Sequence, residues 1–153
     1  MSNIEPVTPA ITTAAYRAGV LKMILDIKPA IFASFAFNRT ITPNDARATL
    51  RKFHARLEHA RLGRNWQKMN DQRSRYIATI EHPDMNLHIH AVFAVPGQDW
   101  HVFGRMARPI WEKLVPGGTT EFRIIGSMMS DVEYLLKDIA PDKVDMLIIW
   151  NDY

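Results

Sequence analysis

Residues 81–90 read EHPDMNLHIH, and the way this stretch folds decides the sheet built around it. Side chains alternate across a strand, so His88 and His90 share one face, while Leu87, Ile89, Ala91, Phe93 and Val95 form a wholly apolar set on the other. His82, Pro83, Asp84 and Met85 are good turn chemistry, with proline at the second position. A connection over 83–86 is a common hairpin length and pairs His82 with Leu87 and Glu81 with His88. Directly opposed residues share a face with Cβ atoms roughly 5 Å apart. Glu81, His88 and His90 are therefore expected to converge, whereas a one-residue slip would send Glu81 to the far face. Two imidazoles and a carboxylate suit a divalent ion, Mn²⁺ and Mg²⁺ first and Zn²⁺ after them. His-x-His alone is common on ordinary surfaces; the opposed carboxylate is what gives this pair meaning. His82 is near enough to stand in for one of them, while His54, His59 and His101 show no such geometry.

Working outward, a strand over 75–81 precedes the hairpin and a strand over 87–95 completes it. Upstream, 12–27 has helical apolar spacing and Pro29 stops it. Residues 30–38 (AIFASFAFN) are apolar on both faces, as a central strand should be. Thr42 and Pro43 cap and open a long helix with Ala46, Leu50, Phe53, Leu57 and Ala60 as its stripe, ended by Gly63. Downstream, 100–114 reads as a helix interrupted at Pro109, Gly117 and Gly118 turn into a strand over 119–125, and a last strand spans 145–150. The order strand-helix-strand-strand-helix-strand is a ferredoxin-like, split βαβ antiparallel sheet of the α+β class, with an added N-terminal helix and C-terminal strand. A chain of 153 residues makes one domain, with its core over about 30–139.

The absence of cysteine excludes a disulfide framework, a thiolate metal site and a cysteine nucleophile. No run is long enough to span a bilayer, and residues 1–9 lack the layout of a signal peptide, so the expected location is the cytoplasm and no membrane partner is expected. Net charge is +3, but ten Lys/Arg against three acids between Arg39 and Arg75 leave +7 there and −4 elsewhere. A one-sided positive region suits a polyanion, because each neutralised phosphate releases condensed counterions.

Tyr134 and Lys137 lie three apart, hence on one face of a short helix that a capping box, Ser130 to Glu133, is expected to open. A phenol ionises near pH 10. An ammonium neighbour and a metal-bound phosphate would supply the help it needs to attack a phosphodiester. Tyr16, Tyr76 and Tyr153 read instead as amphipathic core-edge residues.

With these residues in view, the chain resembles the HUH endonucleases, which include rolling-circle replication initiators, relaxases and single-tyrosine transposases. FASFAFNR (32–39) matches their apolar first strand, His88-Ile89-His90 their His-apolar-His, and Tyr134-Leu-Leu-Lys137 their Tyr-x-x-Lys. The match spans about 30–139. Glu81 occupies the place of the third ligand, an acid on the neighbouring strand in many initiators. The resemblance implies that Glu81, His88 and His90 hold a metal on the scissile phosphate. Tyr134 would attack in line to leave a 3′-hydroxyl and a 5′-phosphotyrosine, with Lys137 steadying the charge. It also implies single-stranded DNA as partner, at an origin hairpin, along a track for which Arg39, Arg51, Lys52, Arg64 and the ring of Trp66 are the candidates. A single tyrosine means that repeated nicking and joining needs a second subunit, as in a homodimer, or a second event. A single-tyrosine transposase is the alternative within the family. A non-catalytic nucleic-acid-binding module of the same fold is the alternative outside it, although the histidine face lacks the aromatics such modules use.

Overall fold

The computed structural model describes residues 10–97 and 100–151; the opening residues 1–9 and Tyr153 lie outside it. Helix α1 (Thr13–Ile27) is capped by the Thr12 hydroxyl, which accepts from the Ala15 amide, and ends at Lys28 in the left-handed region (φ 53°), just before Pro29. Strand β1 (Ile31–Ala36) leads to helix α2 (Pro43–Leu62), where Thr42 accepts from the Asp45 amide and Pro43 occupies the first turn. Gly63 stops α2 at φ 86°, a conformation other side chains rarely adopt. Strands β2 (Arg75–Glu81) and β3 (His88–Ala94) form the hairpin. Helix α3 (Trp100–Leu114), strand β4 (Thr119–Ile124), helix α4 (Met128–Leu136) and the short strand β5 (Leu147–Ile149) follow.

The sheet order is β4-β1-β3-β2-β5 and every neighbouring pair is antiparallel. The first four strands make the split βαβ arrangement expected from the sequence, and β5 extends it beside β2. Register alternation sends Ala33, Phe35, Tyr76, Ala78, Ile89, Ala91 and Phe93 into the main core under α2 and α3, where Phe35, Phe53 and Trp111 meet with ring centroids 4.8–5.8 Å apart. Truncating a ring such as Phe35 here costs about 3–5 kcal/mol. The opposite face carries Phe32, Ile77 and Val92, on which α1 (Val20, Ile24) and α4 (Val132, Leu135, Leu136) build a second, smaller core. The sheet thus lies between two helical layers, and its histidines belong to the second face.

Three expectations need correction. Pro109 does not interrupt α3: it sits on the exposed side of a continuous helix, so the carbonyl it leaves unpartnered, that of the exposed Arg105, faces solvent. Helix α4 opens at Ser127 rather than Ser130, because the Ser127 hydroxyl accepts from the Ser130 amide and puts Ser130 inside the first turn. Ala60 is exposed, while His54 and Glu58 are fully buried, so the inner face of α2 is turned toward the β2 side. There the Glu58 carboxylate accepts from Arg61 (2.7 Å), from the Ser74 hydroxyl (2.6 Å) and from the Ser74 amide (2.9 Å), and His54 Nε2 lies 2.9 Å from Ser74 Oγ. This buried network ties the start of β2 to α2.

Candidate metal and tyrosine centre

The hairpin register pairs Glu81 with His88 and Thr79 with His90, so Glu81, His88 and His90 project together from the second face. Both imidazoles aim Nε2 at one carboxylate oxygen: His88 Nε2 and His90 Nε2 each lie 2.7 Å from Glu81 Oε2. Each ring is also held from behind. His88 Nδ1 lies 3.0 Å from the Asn86 carbonyl, which can only accept, so this nitrogen carries a proton. A neutral His88 then presents a lone pair at Nε2 toward a carboxylate oxygen, an arrangement that needs a proton or a cation between the two. His90 Nδ1 lies 2.9 Å from Ser34 Oγ. Backing of this kind fixes ring orientation and tautomer in metal sites. Among the described residues, the trio whose donor atoms lie within 4.8 Å of one another and could hold a metal ion is Glu81, the exposed His82 and His88.

The electrostatics favour ligands in their binding forms. Burial pulls the His90 imidazole below its ordinary pKa and outweighs the nearby Glu81 charge, which keeps the ring neutral. Burial alone would push the Glu81 carboxyl up. The hydrogen bond and the charge of Lys137 are chief among the contacts that overcome it, so Glu81 stays ionised below the usual carboxylate range. Lys137 makes an ion pair with Glu81 Oε1 and is held above its ordinary range chiefly by that contact.

Tyr134 is brought to the same place. Its ring centroid is 5.1 Å from that of His90 and 6.2 Å from that of Phe32, and the Lys137 ammonium sits 4.0 Å from the centre of the tyrosine ring. The tyrosine is 46% exposed, open enough for a ligand to reach its hydroxyl. Both ends of α4 are anchored. Near its start Asp131 takes a bidentate grip on Arg123 of β4 (3.0 and 2.6 Å), whose guanidinium also lies 4.5 Å from the Phe32 ring centre. At its end Arg17 of α1 donates to the carbonyls of Lys137 (2.6 Å) and Ile139 (3.1 Å).

No protein-family model matches the chain. No curated protein matches it either. Among solved structures, the crystal structure of the hypothetical protein ORF119 from Sulfolobus islandicus rod-shaped virus 1 is similar at 19% identity and a TM-score of 0.45, over 80% of this chain and 95% of that one. A likeness of that degree decides neither fold nor function.

The expected DNA track fares differently from the centre. Trp66 is buried, with the Arg73 guanidinium 4.9 Å from its ring centre, so it has no open face on which a base could stack. Arg51 and Lys52 belong to α2, which covers the sheet face opposite the histidines, and Arg64 follows the far end of that helix. Of the five candidates only the exposed Arg39 lies near the centre, beside the hairpin in a cleft lined by Pro83 and Leu87. On the tyrosine side, a cleft of about 500 Å³ lies between Phe32, Ser34, His90, Arg108, Arg123 and Tyr134, with Glu121 and Asp131 also on its wall, the latter paired with Arg123. Across the carboxylate, a cavity of about 610 Å³ is lined by Asp84, Asp138, Asp142 and Asp145, with Lys143 and His82 among them. Sequence reasoning missed Ser34, Arg108, Arg123 and Asp131. Two of these carried a signal: Ser34 is the one polar side chain in an apolar strand, and alternation along β4 puts Arg123 on the face of Phe32 and His90.

Among the described residues no helix is long and apolar enough to cross a membrane.

Proposed function

We propose that this protein is a metal-dependent nuclease of the HUH kind, which nicks single-stranded DNA through a phosphotyrosine formed on Tyr134. The observation that carries the reading is one carboxylate, Glu81, that gathers His88 and His90 on one oxygen and Lys137 on the other, with Lys137 lying over the ring of Tyr134. Separate residues for holding a cation and for nucleophilic attack thus meet in one open site. Glu81, His88 and His90 are the preferred ligands, because both histidines are oriented by partners behind them; His82 is the alternative third. A divalent ion of the Mn²⁺ or Mg²⁺ type would supply polarisation of a non-bridging phosphate oxygen.

The chain's own residues account for the rest. Tyr134 Oη forms a bond to phosphorus as the bond to the 3′-oxygen breaks, so phosphodiester count is conserved. The phenolic proton passes to solvent, and the departing 3′-oxygen takes one up. Lys137 steadies the charge on the phenolate and the phosphate. Reversal by another 3′-hydroxyl rejoins a strand. The cleft beside Arg108 and Arg123 is the one this reading assigns to the strand, since the cavity across Glu81 is strongly acidic and repels phosphate.

The test is incubation with Mn²⁺ and 3′-end-labelled single-stranded oligonucleotides, followed by denaturing electrophoresis. The expected result is a label that migrates with the protein, lost in Tyr134→Phe, which keeps the ring packing. Cleavage by Tyr134→Phe at the wild-type rate would overturn the phosphotyrosine mechanism. Binding of DNA without any cleavage would favour a non-catalytic module.

A further inference from the structure

We propose that Lys137 is the cation that neutralises Glu81 before a metal ion does, and that loading the metal releases Lys137 from Glu81, so that an ammonium now shared with the tyrosine serves the tyrosine alone. The inference rests on the metal-centre reading above and adds to it an order of events. Glu81 is 5% exposed, and a carboxylate so enclosed needs a cation to remain ionised. Its two oxygens are fully subscribed: Oε2 faces both imidazoles and Oε1 faces the Lys137 ammonium. Among the described residues Lys137 is the one lysine or arginine paired with Glu81. A divalent ion that draws on Glu81, His88 and His90 competes for the same electron pairs, and two cations at contact distance on one carboxylate repel.

The geometry gives Lys137 somewhere to go. It lies at the C-cap of α4, its side chain is 39% exposed, and its four-carbon stem turns freely. The ammonium already sits 4.0 Å from the centre of the Tyr134 ring, so a side-chain rotation, with no movement of α4, carries it toward the phenolic oxygen and the cleft beyond. The nucleophile, which already shares this ammonium with Glu81, therefore gains it undivided when the ligand trio is filled. Without metal, the same charge is divided, with the larger share on the carboxylate.

Isothermal titration calorimetry of the full-length chain with Mn²⁺ tests this without reference to cleavage. Lys137→Met should bind Mn²⁺ at least about tenfold more tightly than the wild type, the size expected from removing a charge-assisted competitor. Lys137→Arg, which keeps the cation, should stay near wild type. Lys143→Met removes a lysine from the neighbouring cavity without touching Glu81, and should change affinity less than about twofold, the scale of an exposed charge. In wild-type protein, Mg²⁺ should shift the NMR resonances of the Lys137 side chain. Unchanged affinity in Lys137→Met, or an equal gain in Lys143→Met, would overturn the exchange. The double variant His88→Ala/His90→Ala separates the two layers of the argument. If it loses Mn²⁺ binding while Lys137→Met binds like wild type, this inference falls and the metal centre stands. If it binds Mn²⁺ like wild type, the metal centre falls and the exchange with it.

Discussion

Acidification from about pH 7 to about pH 4 should remove a defined share of stability through His54 alone. The imidazole is completely buried, and burial is the chief cause that lowers its pKa from 6.5 to about 4; the charges of Arg73 and Arg61 add to the effect, while Glu58 and Ser74 oppose it. The sign follows from where the proton prefers to be. Well above pH 6.5 neither the folded nor the unfolded chain protonates this ring. Between 6.5 and about 4 the unfolded chain takes up a proton that the folded chain refuses, so unfolding becomes progressively easier. Below about 4 both forms are charged and the loss stops growing. The gap corresponds to about 3 kcal/mol, a large fraction of the roughly 5–15 kcal/mol that holds a domain together. Urea unfolding at a series of pH values, run on wild type and on His54→Gln, isolates the contribution. The variant keeps a group able to bond Ser74 but cannot titrate, so the difference between the two curves should close as pH falls. Parallel curves across that window would refute the reasoning.

Other outcomes follow from the same structure. Asp131→Asn should cost less than about 1 kcal/mol of stability, because its partner Arg123 is half exposed, yet slow adduct formation without changing the product, since the pair aims α4; denaturation and single-turnover assays together check it. Arg108→Ala should lower the slope of log affinity against log salt by about one unit, whereas Lys52→Ala, on the far face, should leave the slope unchanged. Gly118→Ala would put a methyl group 2.6 Å from Val115 Cγ1 and 2.9 Å from the Ala36 carbonyl, so a thermal melt should show destabilisation of about 1–3 kcal/mol.

The parts of this fold that were legible in the sequence are those governed by local rules. Strand alternation and a four-residue turn were enough to bring Glu81 opposite His88, and Thr42 with Pro43 marked the start of α2. What escaped depended on distant packing. Trp66 stands in a polar stretch that reads as an exposed loop, and only the approach of Arg73 shows that it is covered. His54 and Glu58 lie four apart beside the apolar stripe of α2, but their burial required Ser74 from another element to satisfy them. The S-x-x-E pattern at 130–133 pointed to a cap, although Ser127 served equally well; the choice between them is made by where the chain leaves β4. Helical spacing put Tyr134 beside Lys137, while the approach of Tyr134 to His90 is tertiary and was supplied by resemblance alone.

The second core has a consequence for when the proposed tyrosine chemistry is possible. Helix α4 has 9 residues, too few to persist in water alone, and it owes its existence to Val20 and Ile24 of α1 and to the sheet surface beneath. These two helices share a small apolar layer separate from the larger one under α2 and α3. Such a layer can detach as a unit while the rest of the molecule stays folded. The amides of α4 should therefore exchange with solvent at a lower free energy than those of β1 and β3. On warming, the aim of the tyrosine should fail while Glu81, His88 and His90 are still in register. The temperature range of the proposed activity is then set by the first helix, which reaches the tyrosine helix only through Arg17 and the small shared core.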